Sequence, residues 1–414
     1  KTLFTNFVNS QSEWNISSEG YNSSDGYQGG SIVYGNNNQT VNANSKYRLL
    51  NRTPTTQDGK IDYTASDFSG YEFLLGNDVD NSNPTVQAET LNWLYYLMNF
   101  GSITQNDRNG NFDSVRVDAV DNMDADILNI ISQYFRDAYK INANDVNSNN
   151  HLSILEDWSG NDPYYQKDHG TNQMTIDSGY LNSLRSIFMN NPSNRSDISC
   201  IINAGVVNRQ DDNTTNDAIP NYEIVRAHDA GVQEIIAQII SDKIDSNSPV
   251  FNSSWDKIQA ALKIYDADEN STNKEYTQYN IPASYALTLT NKDTTPRVYY
   301  GDMYTDDGQF MAQKTPYYDS IAEMLKSRIK YVAGGQHMEA VKVNNGADTI
   351  LTSVRYGKGA LNAGDLGDSL TRTSGIAVVE SNNPSLSLSA TDKVVIHMGA
   401  AHKNQEYRQL LTAT

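Results

Sequence analysis

The middle of the chain repeats one pattern of hydrophobic and polar positions. Between residue 113 and about residue 300, short runs of alternating apolar and polar residues are separated by stretches with apolar residues at helical spacing. The short runs predict strands at residues 113–117, 151–155, 201–207, 222–227 and 297–300. The longer stretches predict helices at residues 125–139, 181–189 and 232–244, and a helical pair over 255–287. Strands that alternate with helices indicate a parallel sheet, so we expect an α/β fold.

The segment before this repeat is less regular. Residues 86–100 have helical spacing, and we expect that helix to end at Gly101. Residues 1–70 are rich in Asn, Ser and Gly, with short strand candidates at 31–35 and 46–52. We therefore expect an irregular, mostly β accessory region over residues 1–75.

The pattern changes again after about residue 332. Residues 349–357, 374–381 and 392–399 alternate apolar and polar positions, with turns and no helices between them. Such runs predict an antiparallel β domain. We expect this domain to span residues 332–414 and the α/β segment to span residues 76–331.

Composition narrows the possible partners. The net charge is -19 and the pI about 4.6, which argues against a nucleic-acid partner because phosphate binding needs clustered Lys and Arg. No apolar run approaches the roughly 20 residues of a membrane span. The acidic charge suits an extracellular protein in an acidic medium, or one that binds cations. The only cysteine, Cys200, lies in SCIINAGVV, which predicts a buried strand.

Three acidic residues follow three of the predicted strands. Asp118, Glu156 and Asp229 stand where parallel strands end. An acid in this position usually caps a helix, but three of them would converge at one mouth of a barrel. Retaining cleavage of a glycosidic bond uses two carboxyl groups about 5 to 5.5 Å apart. We expect Arg116 to hold Asp118 ionised and oriented, and Trp158 to offer a sugar an apolar face.

An oxygen-rich stretch precedes the first long helix. Residues 71–84 read YEFLLGNDVDNSNP and include Glu72 and Asp78. Calcium binds six to eight oxygen ligands, often from loops. A polar loop that caps the next helix is the alternative interpretation.

The acidic strand ends also carry a family resemblance. FDSVRVDAVDN, HLSILEDW and NYEIVRAHD resemble the three central motifs of the glucansucrases, glycoside hydrolase family 70, in their usual order. The stretch from Tyr71 to Trp93, the stretch PRVYYGDMYTDDGQ and residues 331–407 resemble the family as well. The resemblance implies a circularly permuted (β/α)8 barrel with an accessory β region and an antiparallel C domain.

The resemblance also implies roles for individual residues. Asp118 matches the nucleophile, Glu156 the general acid/base and Asp229 the transition-state stabiliser. The implied substrate-binding residues are Arg116 and His228 at the glucosyl subsite, with Asn122, Trp158, Gln233 and Leu74 at or beside the neighbouring subsite. The implied calcium ligands are Glu72, Asp78 and the backbone carbonyl of Asn122.

The implied function is a secreted, sucrose-dependent transglucosylase that transfers glucose to α-glucan acceptors. A 4,6-α-glucanotransferase acting on maltodextrins is an alternative that Trp158 disfavours, because such relatives tend to have another residue there. A branching sucrase is a second alternative, because Ala230, Gly231 and Val232 depart from the Ser-Glu-Val of many relatives. A non-catalytic glucan-binding fragment is a third.

One family motif is not found in the sequence. It comes first in α-amylases and last in this permuted family, after the C domain. We therefore expect the first two barrel strands, a further acid and one calcium ligand to lie beyond Thr414, in the remainder of the same enzyme.

Overall fold

The computed structural model describes thirteen segments of the chain. They are residues 21–22, 26–29, 32–34, 77–79, 84–120, 125–140, 150–156, 158, 173–204, 221–228, 230–248, 253–305 and 313–412. The chain splits into two compact units, Lys1–Ile176 with Ala218–Pro220, and Asp177–Asp217 with Asn221–Thr414. The predicted domain boundaries near residues 75 and 331 stay predictions.

The first unit begins with an antiparallel sheet of short strands. Its strands, in spatial as well as chain order, are β1 (Tyr21–Asn22), β2 (Gly26–Gly29), β3 (Ile32–Tyr34) and β4 (Asn77–Val79). Strand β3 confirms the candidate at residues 31–35. The candidate at residues 46–52 lies outside the described residues.

Parallel strands follow in the same unit. Strand β5 (Val115–Val117) pairs with β6 (Ser153–Leu155), which pairs with β7 (Gln173–Ile176). The helices are α1 (Pro84–Met98), α2 (Phe100–Gln105) and α3 (Ala125–Tyr139). The predicted strands at 113–117 and 151–155 and the helix at 125–139 are confirmed, whereas β7 was not predicted.

The second unit continues the α/β pattern. Strand β8 (Asn221–Ile224) pairs in parallel with β9 (Thr294–Arg297). The helices are α4 (Ser178–Leu184), α5 (Ala230–Ile239), α6 (Trp255–Glu269), α7 (Ile281–Thr290) and α8 (Tyr318–Tyr331). Helices α4 and α5 each continue into a π-helical turn, Arg185–Met189 and Ile240–Ile244. Among the described residues, the strands of neither unit close into a barrel.

The predicted antiparallel sheet is present after α8. Strands β10 (Gln336–Val343), β11 (Asp348–Arg355) and β12 (Ile376–Glu380) form it in that order. Strand β10 was not predicted, and the strand expected at residues 392–399 is wrong. Residues 392–399 pair with no strand in the described part of the chain, and Val395 and Ile396 are exposed there. An alternating pattern forms a strand only when a neighbouring backbone completes its hydrogen bonds.

The strand predicted over residues 201–207 is also wrong for residues 201–204, which are the part of it that the structure describes. Residues Ile198–Asn203 form a 3₁₀ helix, and Cys200 is exposed. Asp197 caps this helix by accepting a hydrogen bond from the Ser199 amide at 2.9 Å. Ile198 and Ile201 are fully buried. These two residues are three apart, so one face of a three-residue turn accounts for the apolar run.

The predicted strand at residues 297–300 is displaced. Strand β9 ends at Arg297, and Tyr300–Asp302 form a 3₁₀ turn. Pro296 lies within β9, although a proline has no backbone N–H to donate to a neighbouring strand.

Gly101 does not end the first long helix. The helix breaks at Asn99, and Gly101 lies buried inside α2. A Cβ at Gly101 would clash with the carbonyl oxygen of Asp107 and the backbone of Gly110. The position therefore needs glycine for close approach of two backbone segments.

The apolar cores lie between these elements. In the first unit, Leu94 and Met98 of α1 pack with Ile131 and Phe135 of α3. The larger core of the second unit includes Phe188, Tyr285 and Ile321. Among the described residues, no helix is long and apolar enough to cross a membrane.

Gly101→Ala should destabilise the protein by about 1–3 kcal/mol, because the added methyl group overpacks two backbone segments. Gly231→Ala is the matched control, since a Cβ there meets nothing within 4 Å in helix α5. Alanine is the better helix former, so the control should be neutral or stabilised by about 0.5–1 kcal/mol. Urea unfolding measures both, and equal effects would contradict the packing role of Gly101.

Candidate active site

Strand β5 delivers two charged side chains to one face. Val115 and Val117 pack against the apolar cluster around Phe135. Since side chains alternate along a strand, Arg116 and Asp118 lie on the opposite side. The apolar positions of β5 therefore fix where its charged residues point.

Arg116 joins the two carboxylates of the first unit. Its Nη1 donates to Oδ1 of Asp118, and its Nη2 lies 3.0 Å from Oε2 of Glu156. The Asp118 side chain is 73% exposed and that of Glu156 only 11%. One guanidinium thus holds an accessible carboxylate beside a covered one, and the predicted contact between Arg116 and Asp118 is present.

Glu156 also fixes the backbone that follows Asp118. Its Oε2 accepts a hydrogen bond from the Ala119 amide at 3.0 Å, and its carbonyl accepts one from the Val120 amide at 3.1 Å. The Glu156 amide donates to the Val117 carbonyl at 2.9 Å. Ala119 has a φ of 50°, an uncommon conformation for a residue with a side chain. These bonds offset the cost of that conformation and hold Asp118 in place.

Trp158 contributes to the same site. Its Nε1 donates to Oε1 of Glu156 at 3.4 Å, and 38% of the residue is exposed. The two oxygens of Glu156 therefore differ, because Oε2 is held by Arg116 and Ala119 while Oε1 takes part in the long contact with Trp158. Such a site suits reactions that need one open carboxylate and one covered carboxyl group.

The second unit carries two more of the predicted substrate residues. His228 follows β8 and Gln233 lies in α5, and both are exposed. Arg297 donates from Nη1 to Nδ1 of His228 at 3.0 Å and from Nη2 to the Arg226 carbonyl at 2.7 Å. The end of β8 is thus held by the neighbouring strand β9.

The other predicted residues are not placed. Asp229, Leu74, Glu72 and Asn122 lie outside the described residues, and Asp78 is described only as part of β4. Among the described residues, no group of three or more His, Cys, Asp or Glu side chains could hold a metal ion. The calcium site therefore stays a prediction.

A buried charge network lies below His228. Arg226 is 4% exposed and donates from Nε to Oδ1 of Asp302 at 2.5 Å and from Nη1 to Oη of Tyr265 at 2.5 Å. Its Nη2 contacts Glu269 at 3.2 Å, and Tyr285 donates to the second oxygen of Asp302. Every charged group in this network has a hydrogen-bonded partner, which buried charges require.

Burial and charge oppose each other in this network. Burial acts to lower the pKa of Arg226, but the adjacent Asp302 carboxylate holds it well above its usual value. Burial raises the pKa of Glu269, although Arg226 acts against that shift. Arg226 therefore stays charged, and its side chain is held by Asp302, Tyr265 and Glu269.

Four contributors to these sites were not predicted from the sequence. They are the Ala119 amide, Arg226, Arg297 and Asp302. Arg226 was detectable, because an arginine within the apolar run IVRA needs a buried partner. The donor role of a backbone amide has no signal in the sequence.

Comparisons with known proteins identify the family. The profile of glycosyl hydrolase family 70 matches residues 1–414. The chain belongs to this family.

The chain is similar to individual members. It is 54% identical over 412 residues to Glucosyltransferase-I of Streptococcus mutans serotype c (strain ATCC 700610 / UA159), covering 99% of this chain and 28% of that protein. Truncated alternansucrase from Leuconostoc mesenteroides NRRL B-1355 matches with a TM-score of 0.78 and 39% identity, over 97% of this chain and 37% of the other. An alternansucrase in complex with isomaltotriose matches with a TM-score of 0.75 and 36% identity, over 97% of this chain and 37% of the other. The chain thus spans about a third of these relatives.

Asp302→Ala should cost about 3–5 kcal/mol of unfolding free energy, because it removes the main partner of the buried Arg226 charge. Asp319→Ala is the matched control, since the Asp319 side chain is 91% exposed in its ion pair with Lys314. That pair should be worth less than about 1 kcal/mol. Denaturant unfolding of both variants tests this, and an Asp302 variant as stable as the control would contradict the anchoring role.

Proposed function

We propose that the full-length protein is a secreted or cell-surface transglucosylase. It cleaves sucrose with retention and transfers glucose to a growing α-glucan, releasing fructose. The supporting observation is the pair Asp118 and Glu156 on the guanidinium of Arg116, in a chain of glycosyl hydrolase family 70. The family resemblance implies a circularly permuted (β/α)8 barrel for the full-length protein.

In the first half-reaction, Asp118 is the nucleophile. Its carboxylate attacks the anomeric carbon of the glucosyl unit while Glu156 protonates the departing fructose oxygen. The bond from glucose to fructose breaks, and an ester between glucose and Asp118 forms with inverted configuration. The open position of Asp118 suits this role, because the anomeric carbon must approach its oxygen directly.

In the second half-reaction, Glu156 acts as the base. It removes the proton from an acceptor hydroxyl, whose oxygen attacks the anomeric carbon and displaces Asp118. The second inversion restores the α configuration. Transfer exceeds hydrolysis when the acceptor site holds a sugar in place of water.

The hydrogen bonds of Glu156 indicate where its proton sits. Oε2 accepts from Arg116 and from the Ala119 amide. A proton on Oε2 would face these donors, so the acid form carries its proton on Oε1. Oε1 is then the atom that exchanges a proton with fructose and with the acceptor, and Trp158 limits its rotation.

The remaining roles follow the family resemblance. Asp229 stabilises the transition state, Arg116 and His228 bind the glucosyl unit, and the acceptor side includes Asn122, Trp158, Gln233 and Leu74. The similar alternansucrase that was solved in complex with isomaltotriose supports α-glucan acceptors for this chain.

A branching sucrase is the second candidate. Gly231 and Val232 in the first turn of α5 are only partly exposed, and the sequence Ala230-Gly231-Val232 is small and apolar. Small residues beside Asp229 would widen the acceptor side for a preformed glucan. Product analysis with and without added dextran separates a branching enzyme from a polymerase.

Asp118→Asn in the full-length protein should abolish fructose release from sucrose, a loss of about 10⁴-fold or more, because an amide is a poor nucleophile. Glu156→Gln should block both half-reactions. Asp113→Asn is the matched control, because Asp113 is exposed and lies in the same segment. Fructose assays measure all three, and an active Asp118→Asn variant would contradict the proposed nucleophile.

A wild-type protein that binds glucan but releases no fructose from sucrose would instead support a binding module.

We also propose that Ca²⁺ binds near the start of the catalytic segment, at Glu72, Asp78 and the carbonyl of Asn122. The support is the oxygen-rich sequence of residues 71–84 and the family resemblance. Chelation of calcium should lower the melting temperature of the full-length protein, since a ligand bound only by the folded state stabilises it. Asp78→Asn should weaken this response, and a melting temperature unaffected by chelation would count against the site.

A further inference from the structure

Arg297 connects the buried charge network to an exposed histidine. It lies in β9, beside Ile224 of β8 in the parallel register. Its two terminal nitrogens donate to different groups of the segment after β8, the Arg226 carbonyl at 2.7 Å and Nδ1 of His228 at 3.0 Å. Arg297 thus spans the segment that leads to Asp229.

This arrangement restricts movement of Arg297. The backbone of Arg297 is held by the pairing of β9 with β8. The carbonyl that accepts a hydrogen bond from the Arg297 side chain belongs to Arg226. The Arg226 side chain is itself fixed by Asp302 and Tyr265. Arg297 therefore presents its Nη1 to His228 from a rigid support.

The contact with His228 also has a chemical consequence. A guanidinium has donors only and no acceptor. Nδ1 of His228 must therefore accept, which requires an unprotonated nitrogen. A neutral imidazole with Nδ1 unprotonated carries its proton on Nε2. The imidazolium form and the other tautomer would each place an N–H against the N–H of Arg297.

We propose that Arg297 is a positioning residue that fixes the ring of His228 and keeps its proton on Nε2. In the described part of the chain, Nε2 has no hydrogen-bond partner, and the histidine is exposed. Nε2 is thus an oriented neutral donor for a sugar hydroxyl oxygen, a statement that rests on the proposed function.

The tautomer can be measured without an activity assay. ¹⁵N spectra of the full-length protein with labelled histidine distinguish a protonated from an unprotonated ring nitrogen. The His228 signal is assigned by its loss in His228→Gln. We expect a protonated Nε2 and an unprotonated Nδ1 in the wild type. A protonated Nδ1 in the wild type would overturn the proposal, and this result needs no variant of Arg297.

Arg297→Met tests the cause. This variant removes both donors, so we expect a mixture of tautomers at His228 and a loss of about tenfold in kcat/KM for sucrose, as one substrate hydrogen bond is weakened. Arg328→Met is the matched control, because Arg328 is also half-buried and donates to two carbonyls, those of Leu289 and Thr294. The control should keep the His228 tautomer and the kcat/KM of the wild type.

The outcomes separate this proposal from the proposed function. An unchanged tautomer in Arg297→Met would overturn the positioning role, whatever the activity. The expected tautomer change in a protein that does not cleave sucrose would support the role of Arg297 and overturn the proposed function instead.

Discussion

The bridge that Arg116 makes between two carboxylates is the interaction on which the first unit's site depends. Asp118 and Glu156 come from neighbouring strands and would repel each other without a cation between them. The bridge forms because the alternation of β5 sends Val115 and Val117 into the core and Arg116 to the other side. Packing of two valines therefore sets the position of the proposed chemistry.

In the second unit, two arginines hold acidic and polar groups in place. Arg226 is buried among acids and phenols near the end of β8, while Arg297 donates to the Arg226 carbonyl and to the exposed His228. The buried network resists displacement because moving Arg226 away would leave the buried carboxyl groups of Asp302 and Glu269 without a cation. A rigid interior thus supports an exposed ring whose orientation matters for hydrogen bonding.

The sequence predicted what periodicity encodes and missed what depends on contacts. Helix 125–139 and the strands ending near Asp118 and Glu156 were predicted, because their apolar residues repeat with the right period. Cys200 was misplaced because its apolar run predicts a buried strand, whereas a 3₁₀ turn buries Ile198 and Ile201, three residues apart, on one face. The amide of Ala119 and the guanidinium of Arg297 act through tertiary hydrogen bonds, which no local pattern records. The motifs located the acids through the family resemblance, and the structure supplied the partners of Asp118 and Glu156.

In the proposed mechanism, Asp118 forms a covalent bond with glucose and Glu156 transfers the proton. Peptide mass mapping of the full-length protein, acid-quenched during turnover of sucrose, detects this bond. We expect one glucosyl group on the peptide that carries Asp118. With a donor that has a better leaving group than fructose, the Glu156→Gln variant should accumulate more of this adduct, because it cannot activate the acceptor that removes the glucosyl group. A glucosyl group on another carboxylate, or an active enzyme that forms no adduct, would contradict it.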